Sequence, residues 1–415
     1  MDPLLEDGVF KAGVFEDGAL FDPLAPETLS DPYPLYARLR DEAPVQRTPT
    51  GVWLVLGYDP AVQILRDHAR FSVDHRNRHD TPELIEKLGP TASDRGMENV
   101  MLFKDPPDHT RLRGLVNKAF TPRIVESMRR RIVEITNELI DDIEPRGEMD
   151  VIEDFAYPLP VTVIAEMLGI PEADRHEFKR WSRQVAPILD PIISEEVFFQ
   201  VAEAGLALAV YFDEIVAKRR IDPQDDLITE LIRAEDEGDR LTPEELRATL
   251  ILLLVAGHET TMNLIGNGLL ALLRNPSEAE RLRSNPALAK TATDELLRYD
   301  GSVHLTARTA VEDAEVGGEK IAKGEMAIVI LGAANRDPAQ FSDPDRLDIG
   351  RDPNRHLAFS AGGHFCVGAT LARAEGQVAF ETLLRRLPGL RLADPDPPYR
   401  ATITLRGLKA LPVSF

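Results

Sequence analysis

The chain has 415 residues, 43% of them hydrophobic, with 48 Lys+Arg against 70 Asp+Glu and a formal net charge of −22. That apolar share excludes a disordered chain, and the acidity argues against nucleic acid or an anionic membrane as partner, since both repel it. The single cysteine, Cys366, excludes an intrachain disulfide and fits a reducing compartment.

The opening stretch MDPLLEDGVFKAGVFEDGALFDPL is acidic and lacks the basic start and apolar core of a signal peptide. The longest apolar run, 248–257 broken only by Thr249, is far short of the ~20 residues that span a bilayer. A cytoplasmic chain without a membrane anchor is expected. PVQRTPTGVWLVLGY reads as two short strands around a turn, and residues 122–220 are mainly helical in pattern. One long helix follows, with Thr242 as N-cap, Pro243 in the first turn, Glu245 completing a capping box and an end before Pro276. At 1.5 Å per residue it is roughly 48 Å long. Gly257 and Thr260 predict a local distortion in it. PALAKTATDELLRYD is another helix, AEVGGEKIAKGEMAIVILG is strand-like, and 335–368 is irregular. A helix resumes at ATLARAEGQVAFETLLRRL, and the tail ATITLRGLKALPVSF has hairpin character. The pattern predicts a mainly α fold with small β-sheets, one domain over 1–415.

Inside the long helix, LLLVAGHETTMNL sets His258, Glu259, Thr260 and Thr261 in an apolar run, where each needs a partner. A zinc site of the H-E-x-x-H kind is one reading, but Met262 stands where the second histidine belongs. A purely structural role, with Thr and Glu satisfied by nearby backbone, is another. The second segment of interest is FSAGGHFCVGATLAR, where Gly362, Gly363 and Gly368 surround Cys366 and a helix begins at once. Gly-rich backbone lets a flat ligand come close, and a helix N-terminus favours thiolate. Taken alone, a lone cysteine is more often a small buried hydrophobe.

Phe-x-x-Gly-x-His-x-Cys-x-Gly, 359–368, resembles the haem-binding loop of the cytochrome P450 family, and the resemblance runs from PYPLYARLR near residue 33 to the tail. It implies the cytochrome P450 fold, with a long central helix over haem b and the cysteine loop beneath. It implies Cys366 as axial ligand of the haem iron, framed by Phe359, Gly362 and Gly368, with Ala256 beside the haem. His109 and Arg113 in DPPDHTRLR, Arg308 in LTARTA, and His364 match propionate contacts; a buried propionate pair needs such neutralising groups. Glu295 and Arg298 of DELLR lie at i, i+3 on one helix face. The family joins such a pair to a further arginine, for which FSDPDRL offers Arg346, with Arg351 the lesser choice. Ser360 stands where the family usually has Gly, and Leu347 where an aromatic is common.

Ala-Gly-x-Glu-Thr-Thr, 256–261, resembles the family's oxygen-activation segment. It implies Glu259 passing protons inward and Thr260 hydrogen-bonding dioxygen or its water, with Ala256 and Gly257 leaving room. His258 receives no chemistry. The activity implied is monooxygenation, one atom of O2 entering a C–H or C=C bond with electrons from NAD(P)H. No flavin or iron–sulfur segment is seen, so ferredoxin and its reductase are the expected partners. They would dock on a basic patch of Arg111, Arg113, Lys118, Arg123 and Arg373. Met97, Val100, Val255, His304 and Leu305 are candidate pocket residues, and the mostly aliphatic segments around them suggest a terpenoid, steroid, fatty acyl or polyketide substrate. A monomer is expected. Oxidative coupling or desaturation by the same family is an alternative, as is a non-catalytic haem binder, which would not need Glu259 and Thr260.

Overall fold

The structure, a computed structural model, describes residues 22–49, 51–77, 99–120, 122–190, 195–235 and 241–415. Its organising element is the central helix, Pro243–Arg274, whose capping box forms as expected. The Glu245 N–H donates to Thr242 Oγ1 at 3.2 Å, and the Thr242 N–H donates to Glu245 Oε2 at 2.9 Å. By length and composition this helix could cross a membrane, yet 67% of its most apolar stretch is buried against protein. It is apolar nearly all round because it serves two cores at once. Leu264, Ile265 and Leu269 pack with the helix Ala369–Arg386, while Leu250, Leu254 and Val255 pack with Phe178, Leu208 and Phe212.

The expected distortion is absent: α-helix continues through Gly257 and Thr260. The glycine answers a packing demand instead. A Cβ at Gly257 would lie 3.3 Å from Ile164 of the neighbouring helix Pro158–Met167, so the small residue lets the two helices approach. Thr260 Oγ1 does donate back to the Ala256 carbonyl, at 2.9 Å, without breaking the helix.

The sheets are small. Val45–Arg47 and Trp53–Val55 form the expected antiparallel pair, and Trp53–Val55 then runs parallel to Met326–Ile330. Leu305–Ala310 and Phe71–Ser72 complete a five-stranded sheet. Ala314–Val316 and Glu319–Ile321 form a separate hairpin. The tail shows the expected hairpin character only as a short antiparallel turn, and its last strand pairs elsewhere. That strand, Pro412–Ser414, pairs with Glu148–Asp150 and Arg391–Leu392, while the segment before it doubles back through a single antiparallel bridge, Tyr399 to Leu408, and is tied to Val303 by another from Leu405. That segment is thereby laid over the central helix.

Candidate active site

A cavity of about 520 Å³ separates the central helix from the cysteine loop. Leu252, Leu253, Ala256, Gly257, Thr260 and Thr261 line one wall, and Phe359, Ser360, His364, Cys366 and Gly368 line the other. The loop is tied by its own backbone: the Cys366 N–H donates to the Phe359 carbonyl at 3.0 Å, and Phe365 N–H to the Gly362 carbonyl at 3.2 Å. Gly362 is required twice over. It sits at φ +69°, and a Cβ there would lie 2.4 Å from the Leu65 carbonyl oxygen. Ser360 adopts φ +60°, the left-handed region that the glycine usual at this position takes freely.

The Cys366 thiol is exposed to the cavity but deep within the molecule. Burial pushes its pKa up, outweighing the N–H groups of Gly368 and Ala369 and the cations Arg113 and Arg373. The expected pull of the helix N-terminus toward thiolate is therefore present but loses to desolvation. An iron bound to the sulfur would favour the thiolate.

Around the same cavity the structure gathers the four predicted propionate partners, His109, Arg113, Arg308 and His364. The His109 and His364 rings lie 4.0 Å apart. Burial, then His109, Arg308 and Arg113, push His364 down to about 3, and burial lowers His109. Burial also brings Arg308 down to about 10. Arg113 Nη2 donates to the Phe365 carbonyl at 2.5 Å, beside the cysteine. Two desolvated guanidiniums beside two imidazoles that can donate hydrogen bonds favour an anion between them, and the paired carboxylates of a haem fit that demand.

Glu295 and Arg298 form a fully buried pair at 2.7 and 2.8 Å. The third member is Arg351, correcting the choice of Arg346: Arg351 Nε donates to both Glu295 oxygens, at 3.2 and 3.1 Å. The Arg346 side chain is exposed, and only its carbonyl takes part, accepting from Arg298 at 3.3 Å. The Asp348 N–H and Asn354 Nδ2 complete the shell at 3.0 and 3.1 Å. This cluster pins the irregular passage that leads into the cysteine loop.

Thr260 faces the cavity, and its carbonyl accepts from Ser302 Oγ at 2.6 Å. Glu259 is turned away from the cavity wall, buried and paired with Arg400 of the tail, whose Nη2 also donates to Asn263 Oδ1 at 2.5 Å. Nothing in spacing or composition singles out Arg400. His258 is fully buried against Ser182 and Tyr157.

Of the pocket residues, Leu305 lines the cavity. His304 does not. On the strand side it points opposite to Val303 and Leu305 and lies between the Tyr33 and Tyr36 hydroxyls, at 3.4 and 3.3 Å. Val255, about 100° around the helix from Ala256, is buried in the core, and Val100 packs on the same core while Met101, Leu102 and Phe103 take the lining. Met97 lies outside the described residues. In the expected basic patch, Arg111 pairs with Glu245 and Arg373 with Asp294 at 2.7 Å, so two of its cations are engaged internally. The Arg123 side chain lies outside the described residues.

The model of the family described as Cytochrome P450 matches residues 46–399. The chain is 42% identical to the biotin biosynthesis cytochrome P450 of Bacillus subtilis, over 94% of this chain and 97% of that protein. It is 41% identical to 6-deoxyerythronolide B hydroxylase of Saccharopolyspora erythraea, over 92% and 96%. The crystal structure of P450BioI in complex with acyl carrier protein ligated to hexadec-9Z-enoic acid superposes with a TM-score of 0.86 at 42% identity, covering 94% of this chain and 100% of that one. The cysteine loop and its cationic surround thus sit in a fold matched nearly end to end, and the chain belongs to the cytochrome P450 family, as a bacterial monooxygenase that uses haem b.

Proposed function

We propose that the enzyme oxygenates a large apolar substrate, a polyketide lactone or a long acyl chain, with electrons delivered from NAD(P)H through ferredoxin reductase and ferredoxin in the cytoplasm. The observation that carries the substrate class is the roof of the cavity. Met101, Leu102, Phe103, Ile188, Leu189 and Leu405 offer a broad aliphatic and aromatic surface with few polar handles. Relatives named for polyketide and biotin biosynthesis, and a neighbour solved with acyl carrier protein ligated to hexadec-9Z-enoic acid, support these two classes.

When bound, haem b supplies the activation of O2 and the insertion of one oxygen atom. Cys366 would hold its iron, and His109, Arg113, Arg308 and His364 its carboxylates. The chain's own part is proton supply and exclusion of water. Thr260 commits its hydroxyl hydrogen to the Ala256 carbonyl, so its oxygen faces the cavity as an acceptor for a water that carries a proton in. Glu259, one residue back and tethered to Arg400 nearer the surface, reloads that water. Arg400 is a quarter exposed and borders a small surface pocket with Tyr399 and Thr402, which gives the route its solvent end. For the redox partner the charge support is smaller than expected, because Arg111 and Arg373 are paired with Glu245 and Asp294 and Arg113 lines the cavity.

The test is the ratio of product formed to NAD(P)H consumed, on whichever lactone or acyl substrate gives the largest haem spin-state shift. Thr260→Ala keeps haem and substrate binding but lowers that ratio, with peroxide as the by-product. An unchanged ratio refutes the relay.

A further inference from the structure

His258 is left without a task by the proposed function, yet its ring is held on several sides. It is fully buried, and its Nδ1 lies 2.9 Å from the Leu254 carbonyl one turn earlier. A carbonyl only accepts, so Nδ1 carries the hydrogen and Nε2 of the neutral ring is an acceptor. Ser182 Oγ lies 3.2 Å from both ring nitrogens, within reach of Nε2 as a hydroxyl donor. The Tyr157 ring meets it edge-on at 5.8 Å. Nε2 is 3.9 Å from Glu259 Oε2, while the other Glu259 oxygen, Oε1, holds Arg400.

We propose that His258 is a positioning residue for Glu259: its Nε2 is the seat of the protonated acid, and Arg400 is the seat of the ionised one. This rests on reading Glu259 as the acid of the proton relay. A carboxylate is held best by a guanidinium, whereas a carboxylic acid donates best to a neutral acceptor. The two seats flank one side chain, so gaining a proton moves Glu259 from Arg400 toward His258 and losing it moves Glu259 back. Burial lowers the ring's pKa, with Glu259 and the bond to the Leu254 carbonyl opposing that and Arg400 and Arg183 adding to it. These three side chains and Tyr157, over which Arg183 lies at 4.2 Å, face the ring from every element packed on it.

The experiment is infrared difference spectroscopy of the ferric holoenzyme as pH is lowered, with the carboxylic C=O band of Glu259 identified by its loss in Glu259→Gln. In the wild type the band lies at the low frequency of a hydrogen-bonded acid. His258→Phe, which keeps a ring but no acceptor, moves it to higher frequency, and His258→Gln, whose amide oxygen accepts, moves it back. In parallel, the ¹⁵N resonance of His258 Nε2 in the wild type shifts as the Glu259 band appears. A band whose position is the same in wild type and His258→Phe overturns the proposal, as does an Nε2 resonance indifferent to Glu259 protonation. Failure of the underlying reading is separable: Glu259→Gln with unchanged coupling of NAD(P)H to product removes the relay while leaving the infrared result standing.

Discussion

Replacing Arg351 by Ala removes two hydrogen bonds, at 3.2 and 3.1 Å, from a carboxylate that is 0% exposed. It also frees the Ser342 carbonyl, to which Nη1 donates at 2.9 Å. Stripping a buried ion pair of its only partner costs about 3–5 kcal/mol. Glu295 here keeps Arg298, the Asp348 N–H and Asn354 Nδ2, so the loss is set by the charge-assisted bonds removed, about 2–3 kcal/mol. Arg346→Ala touches an exposed side chain whose carbonyl contact survives the substitution, and its cost is within about 0.5 kcal/mol. Guanidinium unfolding followed by far-UV dichroism and by the Soret band measures both, with haem content as a second reading. Arg351→Ala lowers the midpoint and loses haem at lower denaturant than Arg346→Ala. An Arg346→Ala variant as unstable as Arg351→Ala would refute the assignment of the third member.

Two further substitutions test the cavity walls. Ser360→Gly relieves a left-handed residue and removes a buried hydroxyl with no partner; the variant is expected to be more stable by about 1 kcal/mol after the glycine's own entropy cost, and a lower unfolding midpoint contradicts this. Glu375 borders the cavity, 1% exposed, with Oε2 unpartnered, and burial alone holds its pKa well above the usual 4.5. Because the folded value is the higher one, its contribution is intact below the unfolded value and is lost as pH rises toward the folded one. The wild type therefore loses up to about 1.4 kcal/mol per pH unit from this group above the ordinary glutamate range. Glu375→Gln lacks that slope in denaturation measured across pH; identical slopes in the two proteins count against a neutral buried acid.

What could be read from the sequence was local. The capping box of Thr242 and Glu245, the i, i+3 pair of Glu295 and Arg298, and the spaced loop around Cys366 are each contained within a few residues. Spacing along one stretch of backbone decides them. The misses are matters of direction or distance. Arg346 and Arg351 lie five residues apart in an irregular passage, where no periodicity says which side chain turns inward. His304 immediately precedes the strand that Leu305 opens and points the other way, so only the pairing of that strand with 326–330 reveals which meets the cavity. Arg400 reaches Glu259 across 141 residues, through a tail segment whose course depends on strand pairing at both ends. Gly257 signals close approach as well as it signals a kink, and only Ile164 distinguishes the two.

The account turns on Cys366 as the thiolate that holds the iron. The most direct measurement is the difference spectrum of the dithionite-reduced protein with and without carbon monoxide, in the wild type and in Cys366→Ala. The account predicts a strongly red-shifted Soret band in the wild type that is gone from Cys366→Ala. A band at the ordinary imidazole-type position in the wild type, or a red-shifted band that survives the substitution, would contradict it.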